Sequence, residues 1–365
     1  FMKIVIVLPN LCGGGAERLH IDLAKKWIDQ GHEVDFFLLK AYGELLHSVP
    51  SGASVTDIGV SRIRSAIFPL TKNITRKKPD IILSAMWPLT SVTVLSWIFS
   101  GKIGKLFLSE HIVLSVERER NINVPLFFLK WSIRCTYNQA DGVIAVSQGV
   151  KKDLCRIGKL PTRKVNVIYN PAAHDLPFNY KCIVDRNKIW GGNSDYNILS
   201  VGALKEQKDH KTLIEAFSLI PSSVNAKLII LGEGPLRSSL ERLIDRLGLN
   251  DSVLLPGFFI DPYPWYFSAD LFVLSSMWEG FGNVIVEALE CGIPVVSTNC
   301  DSGPSEILEN GRYGSLVPID DPEKLSASMV ANIGKKNDPN ILKGRALDFS
   351  VSKISKQYLD YLCDR

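Results

Sequence analysis

Short β-branched and apolar runs alternate with amphipathic helical stretches along almost the whole 365-residue chain. This alternation is typical of parallel sheets whose strands are joined by helical crossovers. It occurs in two successive series, and a chain of this length exceeds the size at which one hydrophobic core stops growing. We therefore predict an α/β protein with two doubly wound, Rossmann-like domains that face each other across a cleft, with ligands beyond the carboxyl ends of the strands.

The predicted elements follow from the apolar periodicity. A strand at residues 3–8 is followed by a glycine turn at 13–15 and a helix at 16–30 that Gly31 ends. The other strands of the first series are predicted at residues 34–39, 81–84, 105–109, 142–146 and 165–168. Those of the second series are predicted at residues 198–201, 227–231, 253–255, 271–274 and 294–297.

The periodicity fades between His174 and Tyr196, where Pro, Asn, Gly and charged residues dominate. We expect a first domain at residues 1–173, a connection at 174–196, a second domain at 197–348 and a final helix at 349–365. The final helix would present Phe349, Ile354, Tyr358 and Leu362 on one face.

The net charge of +4 conceals an asymmetry between the two halves. Residues 1–173 contain 23 Lys and Arg against 13 Asp and Glu, whereas the remainder contains 19 against 25. A basic first half suits a phospholipid surface, a pyrophosphate-linked acceptor or nucleic acid, although a solvated surface without a partner has the same composition. No aromatic stacking platform interleaves with these cations, so we expect no nucleic-acid partner.

A membrane contact is suggested by basic and aromatic residues in the first half. The longest apolar stretch, residues 89–99, is far shorter than the ~20 residues of a membrane-spanning helix. Residues 62–78 are rich in Arg and Lys, and residues 126–131 read Leu-Phe-Phe-Leu-Lys-Trp. This mixture suits a membrane interface, although the aromatic residues could equally pack in the core. We expect peripheral membrane contact through the basic N-terminal domain.

The seven cysteines form no C-x-x-C pair. This spacing predicts free thiols in a reducing compartment, which indicates the cytoplasm. Together with the expected membrane contact, it leads us to expect the protein at the inner face of the membrane.

The most informative local pattern follows the predicted strand at residues 271–274. Glu279 precedes a glycine-bearing turn that opens a helix, and Glu287 lies inside that helix. Backbone N–H groups of Phe281, Gly282 and Asn283, together with the helix dipole, would form an anion site suited to a diphosphate. The two carboxylates could each accept hydrogen bonds from vicinal hydroxyls of a ribose or a hexose, although surface glutamates near a helix N-terminus would look the same.

This segment resembles the E-x7-E signature of glycosyltransferase family 4, a retaining family with the GT-B fold. Other segments match the family in order over nearly the whole chain: Gly13 to Arg18, Ser109 to His111, Ala145 to Ser147, Ile168 to Pro171, Val201 to His210, and Leu231 to Arg237. The resemblance implies transfer of a hexose or N-acetylhexosamine from a nucleotide diphosphate sugar. UDP is the first choice of nucleotide, and GDP is the second. The acceptor would be a glycan or a polyprenyl-pyrophosphate-linked glycan of cell-surface polysaccharide synthesis, such as O-antigen.

The resemblance also assigns roles to individual residues. Glu287 would hold the ribose hydroxyls, Glu279 the transferred sugar, and Lys208 the charge on the departing diphosphate. His111 would contact the donor sugar, and Gly14 and Gly15 would allow close approach of backbone to phosphate or acceptor. The remaining donor-binding positions are Phe281, Gly282, Asn283, Val284, Gly202, Gly234 and Phe258.

In one position the chain departs from the family. Many members have Arg directly after the glycine at position 202, and this chain has Ala203. Lys205 is the nearby cation that could replace it. In related proteins, the last helix packs back on the N-terminal domain, which we also expect here.

No cofactor or metal is expected. The sequence contains no D-x-D triplet, and its six histidines show no zinc-ligand spacing. Two lysines, backbone donors and a helix dipole could neutralise the leaving group instead. Three alternatives remain: a GT-B nucleotide-sugar epimerase, a phosphorylase, and a non-catalytic sugar-nucleotide-binding module.

Overall fold

The structure is a computed structural model that describes residues 1–12, 14–120, 124–174, 186–192, 194–335 and 338–364. The chain divides into two compact units. The first unit contains Phe1–Pro171 together with Val351–Arg365, and the second contains Ala172–Ser350.

The strands of the described residues form two sheets. Those of the first sheet are β1 (Lys3–Leu8), β2 (Glu33–Leu38), β3 (Ser54–Asp57), β4 (Ile81–Ala85), β5 (Lys105–Glu110), β6 (Gly142–Ala145) and β7 (Val165–Val167). Those of the second are β8 (Tyr196–Val201), β9 (Ala226–Leu231), β10 (Val253–Gly257), β11 (Leu271–Leu274), β12 (Val295–Thr298) and β13 (Ser315–Val317).

Helices connect most of these strands. In the first unit they are α1 (Gly15–Asp29), α2 (Ile67–Lys77), α3 (Leu89–Phe99), α4 (Leu114–Arg120), α5 (Leu126–Tyr137) and α6 (Gln148–Gly158). In the second unit they are α7 (Arg186–Trp190), α8 (His210–Ser218), α9 (Arg237–Arg246), α10 (Tyr263–Ser268), α11 (Asn283–Glu290), α12 (Pro304–Ile307), α13 (Pro322–Asn332) and α14 (Pro339–Ala346). The helix α15 (Val351–Cys363) returns to the first unit.

Both sheets are parallel throughout. The first has the strand order β3-β2-β1-β4-β5-β6-β7, and the second has the order β10-β9-β8-β11-β12-β13. All five residues of β4 are buried, as are all four of β6 and of β11. Continuous apolar strands of this kind belong to sheets covered on both faces by helices. The predicted pair of Rossmann-like α/β domains is therefore confirmed.

Two short strands escape the sequence pattern. β3 lies at the edge of its sheet and is mostly exposed, so it lacks a run of buried apolar residues. β13 has only three residues, too few for a period to be read.

The segment predicted as a connection, residues 174–196, includes folded structure of the second unit. Within it, α7 buries Trp190, whose ring nitrogen donates to the Ser268 hydroxyl at 2.8 Å and whose ring meets Trp265 edge-on. Residues 175–185 and 193 of the predicted connection lie outside the described residues.

The helix α15 contributes to the hydrophobic core of the first unit. Ile354, Tyr358 and Leu362 are fully buried in a cluster that also contains Trp27 of α1, and the Trp27 and Tyr358 rings lie 6.4 Å apart. The spacing of these residues by three or four positions places them on one helix face. Phe349, predicted on the same face, instead precedes the helix and packs against Phe281 of the second unit.

Six of the seven cysteines fall within the described residues and carry free thiols. No helix in the part of the chain that the structure describes combines the length and hydropathy needed to cross a bilayer.

The packing of α15 can be tested by removing one buried side chain. Ile354→Ala should lower the free energy of unfolding by about 2–5 kcal/mol, because it leaves a cavity in the first unit's core. Gln357→Ala, at an exposed position of the same helix, should change it by less than about 0.5 kcal/mol. Urea unfolding followed by circular dichroism measures both, and equal stability of the two variants would contradict the packing.

Candidate active site

A buried ion pair joins the loop between β11 and α11, which carries Glu279, to the turn after β8, which carries Lys208. The Lys208 ammonium lies 2.5 Å from Glu279 Oε1, and the side chains of Lys208 and Glu279 are only 14% and 7% exposed. The Ser276 hydroxyl donates to the same carboxylate oxygen at 2.7 Å. A buried ion pair is stable only when its geometry is good and further hydrogen bonds satisfy its atoms, and Ser276 supplies such a bond. Lysine and carboxylate are thus held side by side at the carboxyl end of β11.

Hydrogen bonds to neighbouring segments fix the position of this loop. The Met277 amide donates to the Gln207 carbonyl at 2.8 Å, and the Gln207 side chain donates to the Trp278 carbonyl at 3.0 Å. From the loop after β12, the Ser302 hydroxyl donates to the Gly280 carbonyl at 2.9 Å. These contacts join the loops that follow three strands of the second sheet.

The turn into α11 requires glycine at one position. Gly282 is the N-cap residue and has φ 101°, a left-handed conformation that is strained for other residues. No side chain caps the helix, and its N-terminus carries the positive end of the helix dipole. The Phe281 side chain is buried against Phe349, so the predicted contact of Phe281 with a ligand would use its backbone. Asn283 and Val284 form the first turn of the helix.

Glu287 lies one turn into α11 and is held by a tyrosine. The Tyr266 hydroxyl of α10 donates to Glu287 Oε2 at 2.8 Å. Burial, followed by the charge of Glu287, raises the pKa of Tyr266 well above its ordinary value, so this hydroxyl keeps its proton. Glu287 is itself 8% exposed. The carboxylate is therefore oriented by a neutral donor.

The loops after β8 and β9 pack closely against each other. The Leu204 amide donates to the Glu233 carbonyl at 2.9 Å. A Cβ on Gly234 would lie 2.5 Å from the Leu204 carbonyl oxygen, so a larger residue would push the loops apart. The Lys208 side chain lies over Gly202, with three of its carbons 3.2 Å from the position of a Cβ there. Both predicted glycines thus serve backbone packing next to the lysine.

Two further predicted residues are exposed. Lys205 precedes the 3-10 turn at Glu206–Lys208. Phe258 follows β10 and is 50% exposed. The structure brings together Lys208, Glu279 and Gly202, with the α11 turn close by in the chain.

The predicted residues of the first unit form a separate group. The Ser109 hydroxyl lies 3.0 Å from His111 Nε2, and the His111 ring meets His20 of α1 edge-on at 5.4 Å. Burial, and then the nearby His20, lowers the pKa of His111 well below its ordinary value, so the ring is neutral at pH 7. Burial lowers the pKa of His20 to about 4. A neutral His111 can act as a hydrogen-bond partner rather than as a cation.

The N-terminus of α1 starts at the predicted glycines. Gly14 is its N-cap residue and Gly15 its first residue, and both are exposed. Gly13 lies outside the described residues. The Glu17 side chain folds back toward this turn. Its carboxylate occupies the space that a Cβ on Gly14 would need.

Ser276 and Tyr266 are contacts that sequence reasoning missed. Ser276 lies three residues before Glu279, a spacing that could have indicated a shared turn. Tyr266 is separated from Glu287 by 21 positions and is brought to it by tertiary packing alone. Among the described residues, no group of three or more His, Cys, Asp or Glu side chains is placed to hold a metal ion.

Comparison with known proteins identifies the family of the chain. The family model described as "Glycosyltransferase Family 4" matches residues 13–176, and "Glycosyl transferases group 1" matches residues 186–343. The chain is similar to the N-acetylgalactosamine-N,N'-diacetylbacillosaminyl-diphospho-undecaprenol 4-alpha-N-acetylgalactosaminyltransferase of Campylobacter jejuni, with 32% identity over 74% of this chain and 73% of that protein. The lipopolysaccharide core biosynthesis glycosyltransferase LpsE of Rhizobium meliloti is 25% identical over 94% of this chain and 93% of its own.

The fold also matches a solved structure. The chain is similar to the crystal structure of Anabaena Alr3699/HepE in complex with UDP. The superposition covers 100% of this chain and 100% of that chain, with a TM-score of 0.81 and 23% sequence identity. The first family model ends at residue 176, five residues after the border of the two units at Pro171, the second begins at residue 186, and the ordered motifs fall within the two matched ranges. The chain belongs to the family 4 glycosyltransferases and has their GT-B fold.

Proposed function

We propose that the protein is a retaining glycosyltransferase that moves a hexose or N-acetylhexosamine from a UDP-sugar to a glycan or polyprenyl-pyrophosphate-linked glycan in cell-surface polysaccharide synthesis, without a metal. The observation that carries the proposal is the buried pair of Lys208 and Glu279 next to the N-terminus of α11. It places a cation, a carboxylate and a helix dipole at one strand end, which are the groups that a sugar diphosphate needs.

The proposed reaction breaks the bond between the anomeric carbon and the diphosphate oxygen. Negative charge then grows on the diphosphate, where Lys208 and the N-H groups at the start of α11 stabilise it. Glu279 accepts hydrogen bonds from the hydroxyls of the sugar that is transferred. The acceptor hydroxyl attacks from the face that the diphosphate leaves, and a phosphate oxygen takes its proton. This pathway retains the anomeric configuration without a protein nucleophile.

UDP as the nucleotide is supported by the Anabaena structure, whose name records UDP. Binding of a ribonucleotide is supported by the geometry of Glu287, whose carboxylate is oriented by Tyr266 and suits the paired hydroxyls of a ribose. In this proposal, Gly202, Gly234 and Phe258 line the donor site, and Lys205 supplies the second cation in place of the arginine missing at Ala203.

A lipid-linked acceptor is supported by the name of the Campylobacter relative, which acts on a diphospho-undecaprenol glycan. An acceptor of this kind resides in a membrane, so the proposal includes peripheral membrane contact through the basic first unit. In this proposal, His111 contacts the donor sugar, and Gly14 and Gly15 allow close approach of backbone to phosphate or acceptor.

Lys208→Ala should lower the turnover number by about two to three orders of magnitude, the scale of losing one charge-stabilising group. Lys211→Ala is the matched control, because Lys211 is an exposed lysine of α8 that pairs with Glu215 in the same helix. UDP release from a panel of UDP-sugars measures both, with circular dichroism to verify folding. Wild-type turnover in Lys208→Ala would contradict the assigned role.

Tyr266→Phe should weaken UDP binding about tenfold, because Glu287 loses the donor that orients it. Tyr263→Phe is the comparison, since the Tyr263 hydroxyl donates to Glu290 instead, at 3.2 Å. Isothermal titration with UDP gives both dissociation constants. If the two variants bind UDP equally well, Glu287 does not depend on Tyr266 for its role.

The stereochemistry and the metal requirement can be measured directly. Proton NMR of the first product should show the anomeric configuration of the donor, and EDTA should leave the rate unchanged, because protein groups supply the positive charge. Inversion, or a rate restored only by a divalent cation, would refute the corresponding part of the proposal. An altered sugar nucleotide formed from donor alone would favour an epimerase.

A further inference from the structure

The helix α5 has a solvent-facing side with an unusual composition. Leu129, Ser132, Ile133, Thr136 and Tyr137 are buried on its inner side. Three large aromatic residues face outward: Phe127, Phe128 and Trp131 are 74%, 45% and 62% exposed. Lys130 and Arg134 are exposed between and beside them. We call these five outward-facing residues the α5 stripe.

The exposure decides a question that the sequence left open. Side chains of this size are normally buried, and a cluster of three on one short helix is an apolar patch that marks an interaction surface. The ring centroids of Phe128 and Trp131 lie 6.2 Å apart. Phe127, Phe128 and Trp131 therefore present much of their apolar surface to solvent.

The charge of the surroundings has one sign. Residues 121–140 contain no Asp or Glu. The adjacent helix α6 adds Lys151, Lys152 and Arg156, and the carboxylate of its Asp153 is buried and bonded to Arg156. The other helix packed against α5 is α3, which has no charged residue, whereas α4, packed against α6, carries two glutamates and two arginines and is neutral. The α5 stripe thus lies in a positive field.

The position of α5 relates the stripe to the carboxyl edge of the first sheet. The Trp87 ring nitrogen, just after β4, donates to the Ser132 hydroxyl at 3.0 Å. Tyr137 donates to the carboxylate of Glu110, the last residue of β5. These contacts place the second half of α5 level with the strand ends, so the first turn with Phe127 and Phe128 extends past that edge. Ligands of open parallel sheets bind beyond the same edge.

We propose that the α5 stripe is the membrane-docking surface of this protein, with its aromatic rings in the headgroup region of an anionic bilayer. Aromatic residues prefer this boundary, and adjacent Lys and Arg are attracted to acidic headgroups. A second copy of the chain fits the stripe less well, because a two-fold contact would bring Lys130 and Arg134 close to their own equivalents. The inference deepens the acceptor side of the proposed function and rests on it only for the lipid-linked nature of the acceptor.

Co-sedimentation with vesicles of equal parts phosphatidylcholine and phosphatidylglycerol at low salt tests the proposal. The wild type should pellet with these vesicles and not with pure phosphatidylcholine. Phe127→Ser/Trp131→Ser should lower the vesicle affinity by at least about tenfold, since two aromatic groups no longer insert. Lys130→Gln/Arg134→Gln should lower it by about 30-fold, and high salt should have the same direction of effect.

The matched control is Leu219→Ser/Ile341→Ser, which removes two exposed apolar side chains of the second unit and should leave vesicle binding unchanged. Phe68 of α2 and Phe99 of α3 form another exposed aromatic pair, with ring centroids 6.3 Å apart. Wild-type binding by the aromatic variant of α5, or loss of binding in Phe68→Ser/Phe99→Ser alone, would overturn the assignment. Sedimentation velocity provides a further arm, because a wild-type dimer that the aromatic variant dissociates would identify the stripe as a self-association face. Titration with UDP keeps the two proposals separate: a variant that loses vesicles should still bind UDP like the wild type.

Discussion

All strands within each sheet run in the same direction, so every loop that follows a strand leaves from one edge of that sheet. In the second unit, this constraint gathers the loops after β8, β9 and β11, and backbone hydrogen bonds such as those of Leu204 and Met277 join them. The loops are positioned largely through their main chains. The side chains of Lys208 and Glu279 are thereby left to meet each other, and the character of the site is set by two residues on a frame that many sequences could form.

Most strands of the two sheets could be predicted, because buried parallel strands have continuous runs of apolar residues in the sequence. β1, β4 and β11 are read directly from the sequence, and the helix α1 is read from its period. The edge strand β3 has no such run, because solvent covers much of it. The candidate site divides in the same way. The turn at Gly282 is a local pattern, whereas the pairing of Tyr266 with Glu287 depends on how α10 packs against α11.

Amphipathicity alone did not reveal which aromatic residues are buried. Tyr358 of α15 is fully buried, whereas Trp131 of α5 is mostly exposed. The difference lies in which side of each helix packs inward. The inner side of α5 consists of Leu129, Ser132, Ile133, Thr136 and Tyr137, with Thr136 bonded to Ser91 of α3 and Ser132 to Trp87. Trp131 lies on the outer side of the helix and is therefore mostly exposed.

The first unit consists of two separate stretches of the chain, with the whole of the second unit inserted between them. During translation, residues 172–350 are synthesised before Ile354 and Tyr358. The chain of the second unit is therefore complete while the first unit still lacks one helix, and the apolar surface around Trp27 is covered only when that helix has been made. Synthesis of this chain thus passes through a stage in which the earlier-made half is the unfinished one.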